Sequence, residues 1–339
     1  MPAMNIIQAV NDALDLAMAA DPNVVVLGED VGKFGGVFRA TVGLQEKYGE
    51  DRVIDTPLAE AGIIGTAIGM GLYGLRPVAE IQFSDFIFPA YDQIVNELAK
   101  YRYRSGGEYP CPMVIRTPFG GGIRGGHYHS QSPEATFAHH AGLVCVAPSN
   151  PYDAKGLLLA ALESEDPVMV FEPKRIYRGP AHGTNWNSHP KGNVPEGHYT
   201  VPIGKAEIAR PLSGKGIPVT LITYGAMVET CREAAQKAAE EGIDVELIDL
   251  RSLVPYDLPA IVESVTRTGR AVVANEAPQT CGFAGEIVAL IMEHCFDWLE
   301  APPLRVTGYD TPFPYTLEYA YLPDTGRLLT ALRKVARYA

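Results

Sequence analysis

Two places in this sequence hold side chains that could do chemistry. The first is Glu60, which opens a segment of Gly, Ala, Ile, Leu and Met with no charged residue from Ala61 to Leu75. A carboxylate at the mouth of such a segment is poorly solvated and needs a partner, a raised pKa or a ligand with which to share a proton. It also reads as an ordinary N-terminal acid of a helix, favoured by the macrodipole. The second place is the loop TPFGGGIRGGHYHSQ, with five glycines and two histidines, His127 and His129. HYH alone is weak evidence for a metal site, which would want further Cys, His or carboxylate ligands at fitting spacing. The remaining readings are a solvated loop histidine or an active-site acid/base, and a flexible glycine loop favours the latter. Phe86, taken by itself, reads as core.

The elements that must position these residues alternate between strand and helix. Asn5 to Met18 has the apolar spacing of an amphipathic helix, and Val24 to Leu27 that of a buried parallel strand ending at Gly28-Glu29-Asp30. From Glu60, glycines at 62, 65 and 69 would form one flat helix face that lets another helix approach closely. Pro77 to Phe83 reads as a strand, with Ser84 or Asp85 capping a helix that runs to about Arg104. Met113 to Arg116, Leu143 to Ala147 and Val168 to Phe171 read as further strands. Helices are expected at Pro133 to His140 and, opened by Asn150-Pro151, through Leu162. This predicts an α/β fold with a parallel sheet covered on both faces, whose ligands meet the carboxyl ends of its strands. Asp30, Asp85, Phe86 and Gly120 to His129 all fall in such loops.

Arg178 to Pro202 is polar, Pro/Gly-rich and without period, which fits a linker. Beyond it a second, smaller α/β unit is expected. Its strands lie at Val219 to Tyr224, Val245 to Asp249, Ala271 to Asn275 and Pro302 to Thr307, and its helices at Val228 to Glu241 and Ala284 to Cys295. The division is therefore 1–178, a linker over 179–202, and 203–339.

At 339 residues, 47% hydrophobic and 20% charged, the chain has the composition of a globular protein with room for two domains. A net charge of −12 argues against nucleic-acid binding and suits a basic protein partner. The five cysteines, Cys111, Cys145, Cys231, Cys281 and Cys295, form no CxxC pair and read as reduced thiols. No signal peptide or long apolar span is read in the chain, so a soluble, cytoplasmic protein is expected, or a mitochondrial matrix one if it is eukaryotic. No GxGxxG follows a strand and no GxxxxGK[ST] occurs, so neither a dinucleotide fingerprint nor a P-loop is indicated.

Several long segments carry a family resemblance. They are DTPLAEAGIIGTAIGMGLYGLRPVAEIQFSDFIFPAYDQIVNELAKYRYRSGG, HYHSQSPEA, NPYDAKGLLLAAL, EPKRIYR, VELIDLRSLVPYD and GYDTPFPY. Together they resemble the beta subunit of thiamine-diphosphate-dependent 2-oxo acid dehydrogenases over nearly the whole chain. RYRSGG and HSQSPEA look most like the branched-chain (2-oxoisovalerate) group, with pyruvate and acetoin enzymes as alternatives.

The resemblance implies a pyrimidine-binding domain followed by a transketolase C-terminal-type domain, in an α₂β₂ heterotetramer whose active sites lie between alpha and beta subunits. It implies oxidative decarboxylation of a 2-oxo acid and acyl transfer to lipoyl groups on an acyltransferase core, which the C-terminal domain can dock. The family's GDG motif for Mg²⁺ and diphosphate does not occur here, so Mg²⁺ is expected on the alpha side and no metal ligand is assigned in this chain. Glu60 matches the glutamate that hydrogen-bonds N1′ of the pyrimidine. Phe86 matches the aromatic position stacked on that ring, where many branched-chain enzymes have Tyr. Ala61, Ile63 and Ile64 would shape the ring's other contacts. His129 matches the active-site histidine facing substrate or lipoyl group, with Tyr128 and Gln131 as neighbours, and the glycine face becomes a subunit seam. Asp85 stays a helix cap. Some relatives bind K⁺ through an Asp/Asn pair, but here that pair reads Ser164 and Asp166, a departure from the pattern. Two rival readings are a non-catalytic assembly subunit and a self-sufficient transketolase-like enzyme, the latter disfavoured by length and the missing motif.

Overall fold

Strands without polar alternation must be covered on both faces, and Val24–Gly28 is such a strand, buried at every residue. In the computed structural model, which describes residues 1–177 and 192–338, it lies inside a seven-stranded sheet. The order across that sheet is Ser252–Val254, Val144–Val146, Val168–Pro173, Val114–Phe119, Arg76–Glu80, Val24–Gly28 and Val53–Asp55. All neighbours are parallel except Ser252–Val254, which runs antiparallel to Val144–Val146. The side chains alternate as the pleat requires. Val24 and Val26 join a core under helices Ile6–Ala20 and Pro151–Glu163, whereas Leu27, Ala79 and Ile115 join the core on the opposite face. Both helices begin on asparagine caps: Asn5 accepts from the Gln8 N–H within a capping box, and Asn150 accepts from the Asp153 N–H with Pro151 in the first turn.

Helix Glu60–Leu72 covers the other face, burying Ile63, Ile64, Ala67, Ile68 and Gly71. That core continues without a break into the second unit through Ile222, Ile248, Leu253, Ile261 and Phe283. The second sheet has five strands in the order Leu304–Val306, Ala271–Ala274, Ile217–Thr223, Ile243–Asp249 and Glu207–Arg210, the last antiparallel. Helices Met227–Glu240 and Thr325–Ala336 cover one face. Helices Leu258–Thr268 and Phe283–Cys295 turn the other toward the first domain.

Three expectations change. The single helix expected from Ser84 or Asp85 to Arg104 is broken: short 3₁₀ turns at Ser84–Phe86 and Phe88–Ala90 precede helical turns that include a π-turn at Gln93–Glu97. Pro89 contributes no N–H there, and the side chain of Asp85 makes no cap. The linker reading falls on 179–191, outside the described residues, and on 192–202, which lies against the first domain. Gly192–Asn193 pairs with Ala3–Met4, Val194 and Val201 are buried, and Tyr199 stacks on Tyr152 at 4.8 Å. Third, Ser252–Val254 leaves the second unit to complete the first sheet. At that crossover the Arg251 guanidinium, held at φ 58, binds the carboxylates of Asp153 and Glu207. No helix among the described residues is long and apolar enough to cross a membrane.

Candidate active site at the ends of four neighbouring strands

Four strands adjacent in the first sheet each deliver one side chain of interest just past their carboxyl ends, where parallel sheets meet ligands. Glu29 follows Val24–Gly28, Glu60 follows Val53–Asp55, Phe86 follows Arg76–Glu80, and His129 follows Val114–Phe119. Glu60 is the first residue of its helix and half-buried, and Ala59 before it offers no side-chain cap. No hydrogen bond from a described residue reaches the Glu60 carboxylate. Its charge is felt by Glu29, whose carboxyl is pushed upward first by burial, then by Glu60 and by Asp30. Sequence reading placed Glu29 in a strand-end turn and gave it no role. The signal available was a carboxylate at the carboxyl end of a buried strand.

Phe86 and His129 are brought together. The imidazole lies edge-on to Phe83 at 4.7 Å and to Phe86 at 5.3 Å between centroids. Phe83 continues the cluster to Phe38 at 5.3 Å, and Phe38 to Tyr177 at 5.2 Å. The floor beneath is a buried ion cluster spanning three adjacent strands. Arg116 binds Glu172 bidentately at 2.8 and 2.9 Å and Glu80 at 2.6 Å, while the Tyr177 hydroxyl donates to Glu172. Two carboxylates on one guanidinium leave each buried charge with a hydrogen-bonded partner.

The glycines of the loop serve a tight path. A Cβ on Gly125 would stand 2.5 Å from the Cβ of His129, and Gly126 has φ +66. The loop closes on itself through Gly120 N–H to Gln131 O and Gln131 Nε2 to His127 O, each 2.9 Å. The expected role of Asp85 as a helix cap is not what the structure has. Its Oδ1 accepts from the backbone N–H groups of Ser130 and Gln131, both at 3.1 Å, and Ser84 Oγ donates to Gln131 O. A long-range pair of donors outcompetes the local helix terminus for this carboxylate.

The second domain also grips the loop. Glu276 accepts from Gly121 N–H at 3.0 Å and pairs with Arg175 at 2.8 Å, and Glu318 accepts from Arg124 N–H at 3.0 Å. Nearby, Tyr224 donates to buried Glu134 at 2.6 Å and receives from Asn275 at 3.2 Å. Burial pushes the Glu134 carboxyl up to about 7. Lys174 is buried beneath Phe83, its Nζ 5.5 Å from the ring centre and 3.4 Å from Pro118 O. Burial pushes that ammonium down to about 8, against the pull of Asp85, Glu276 and Glu318. None of these charged residues was singled out by sequence, where Lys174 is one basic residue within EPKRIYR.

Other expected positions fall as follows. His127 is exposed and packs on exposed Tyr128 at 4.1 Å, apart from the His129 cluster. His127, Tyr128, Gln131 and buried Ser130 line a cavity of about 470 Å³ against Pro278, Cys281 and Phe313. Cys111, Cys145, Cys231 and Cys295 are buried free thiols and Cys281 is an exposed one. Asp166 pairs with Arg102 at 2.8 Å, and the Ser164 hydroxyl bonds within its own turn. Among the described residues, the acidic group close enough to share an ion is Asp153, Glu207 and Asp249, where Arg251 already places a cation. Gly62, Gly65 and Gly69 are exposed, and a Cβ at Gly65 or Gly69 would meet nothing within 4 Å. The close contact expected of that face is therefore not made by the described residues of this chain.

Comparison with known proteins identifies the family and the fold. The family model "Transketolase, pyrimidine binding domain" matches residues 2–180, and "Transketolase, C-terminal domain" matches 204–328. The chain is 54% identical to the 2-oxoisovalerate dehydrogenase subunit beta of Pseudomonas aeruginosa, over 98% of this chain and 95% of that one. It is 46% identical to the Bacillus subtilis subunit of the same name over the whole of both chains. It is 44% identical to the pyruvate dehydrogenase E1 component subunit beta of Acholeplasma laidlawii, over 99% of each. A solved split-gene transketolase, an inactive beta4 tetramer, superposes with a TM-score of 0.77 at 21% identity over 99% of each chain, a likeness of fold. The chain belongs to the family of 2-oxoisovalerate dehydrogenase beta subunits, built from a transketolase pyrimidine binding domain and a transketolase C-terminal domain.

Proposed function

We propose that this chain is the pyrimidine-holding half of a 3-methyl-2-oxobutanoate dehydrogenase (2-methylpropanoyl-transferring), active only with an alpha subunit. The observation that carries the reading is the rim of neighbouring strand ends that delivers Glu60, Phe86 and His129, with a Glu60 carboxylate that no described residue of this chain satisfies. An acid, an aromatic face and an imidazole suit an aminopyrimidine, and the chain carries no GDG motif for the diphosphate end. The other half of the site, with Mg²⁺, therefore falls to the alpha subunit in an α₂β₂ assembly.

When bound, thiamine diphosphate supplies the electron sink that lets a 2-oxo acid lose CO₂. Glu60 shares a proton with ring nitrogen N1′, and its half-buried setting strengthens that hydrogen bond. Phe86 offers its face to the pyrimidine. His129 holds or donates a proton toward the substrate or an incoming lipoyl group of an acyltransferase core. The exposed glycine face of helix Glu60–Leu72 is the subunit seam. The domain division we propose is 1–178, a connecting segment over 179–202 whose described part, 192–202, packs on the first domain, and 203–339. A potassium site at Ser164 and Asp166 is not part of the proposal, because Arg102 takes the Asp166 carboxylate.

The pyruvate-named relative at 44% identity supports a second substrate reading. Co-purification with the alpha subunit and comparison of rates on 3-methyl-2-oxobutanoate and pyruvate tests the choice. The proposal expects a higher kcat/KM on the branched acid, and preference for pyruvate would overturn it.

A further inference from the structure

We propose that Asp85 is a positioning residue for His129. This rests on the reading of His129 as an active-site group. Asp85 Oδ1 takes the two successive N–H groups that follow His129, those of Ser130 and Gln131, each at 3.1 Å. One carboxylate oxygen on two adjacent amides fixes the peptide planes just beyond the imidazole. The imidazole itself receives no side-chain hydrogen bond from a described residue, so its aim is set by Phe83, Phe86 and its own backbone. Asp85 precedes Phe86 in the 3₁₀ turn Ser84–Phe86. That single turn therefore places both the ring proposed to stack on the pyrimidine and the anchor of the histidine loop.

The arrangement is held against a cost. Asp85 Oδ2 is buried with no hydrogen-bond partner among the described residues, as are Ser130 Oγ and Thr117 Oγ1. The two amides on Oδ1 offset that cost, and the one hydrogen bond of buried Lys174 goes to Pro118 O rather than to Asp85. Glu276 and Glu318 bind Gly121 N–H and Arg124 N–H of the same loop. The loop is thus held by acids from both domains, and Asp85 is the one nearest His129 in the chain of contacts.

The test uses the assembled alpha–beta enzyme with Asp85→Ala and Asp85→Asn, beside His129→Ala as control. Amide hydrogen exchange at Ser130 and Gln131 is measured together with two half-reactions, decarboxylation coupled to an artificial electron acceptor and acylation of lipoyl groups. The expected result is about a tenfold loss of amide protection in Asp85→Ala and less in Asp85→Asn, which keeps a neutral acceptor. Lipoyl acylation should fall about tenfold in kcat with KM for the 2-oxo acid little changed. Unchanged protection in Asp85→Ala overturns the proposal. So does lost protection with unchanged acylation in an enzyme whose acylation His129→Ala abolishes. If His129→Ala leaves acylation intact, the reading of His129 falls, and amide protection alone then decides whether Asp85 fixes the loop. Should Asp85→Ala fail to assemble, Asp85→Asn decides: reduced amide protection at Ser130 and Gln131 supports the anchor, and unchanged protection overturns it.

Discussion

Glu134 ties the two domains through the Tyr224 hydroxyl, and replacing it by Gln should change how stability depends on pH rather than the fold. Burial raises its carboxyl from 4.5 to about 7. Between those values the folded chain keeps a proton that the unfolded chain has lost, so stability falls as pH rises through the window. The contribution is fully present below about 4.5 and gone above about 7. A shift of that size corresponds to about 3 kcal/mol at 1.36 kcal/mol per unit. Gln keeps an acceptor for Tyr224 and does not titrate, so the variant should lose this dependence. Asp249, raised from 3.8 to about 7 by burial beside Ser149, adds a similar slope that Glu134→Gln leaves in place. Lys174, lowered from 10.5 to about 8, acts in the opposite sense and only above about pH 8. Urea denaturation of the wild type and the variant at pH 5 and pH 8 reads the difference directly. Between the two pH values the stability gap should move by about 3 kcal/mol in favour of Gln. Parallel curves would refute the assignment of a neutral buried carboxyl at Glu134.

Two further perturbations follow from packing. Arg116→Met leaves Glu80 and Glu172 buried without their guanidinium and should cost about 3–5 kcal/mol in urea denaturation, a cost below about 1 kcal/mol counting against the cluster. Gly65→Leu meets open space among the described residues, so the isolated chain should melt no lower, since Leu is the better helix former. The same substitution should block assembly with the alpha subunit by overpacking the seam, and an intact tetramer in gel filtration would reject the seam.

Much of the fold was readable because local signals agreed. The unbroken apolar runs became strands buried on both faces, and Asn5 and Asn150 capped the helices their patterns announced. What escaped was decided by contacts distant in sequence. Asp85 looked like a helix cap until two amides about 45 residues away claimed it. Ser252–Val254 is too short to announce a strand, and its pairing with Cys145 and Val146 is a tertiary fact. Val194 and Val201 sit in a stretch whose polarity masks two buried apolar anchors. Lys174 reads as an exposed lysine, since lysines are rarely buried, and only the folded chain shows it under Phe83. At the site, residue type and strand-end position brought out Glu60 and the histidine loop, whereas the Glu29–Glu60 pair required the order of strands across the sheet. The glycine stripe was plain in the sequence, but that it faces away from this chain's own sheet was not.

The role of Glu60 is tested most directly by Glu60→Gln in the chain assembled with its alpha subunit and saturated with thiamine diphosphate. The reading predicts at least about a hundredfold loss of 2-oxo acid decarboxylation, as for removal of a positioned acid–base group, with assembly and thermal midpoint unchanged. Decarboxylation at the wild-type rate by an intact assembly would contradict it, and would leave the chain as a scaffold for its partners.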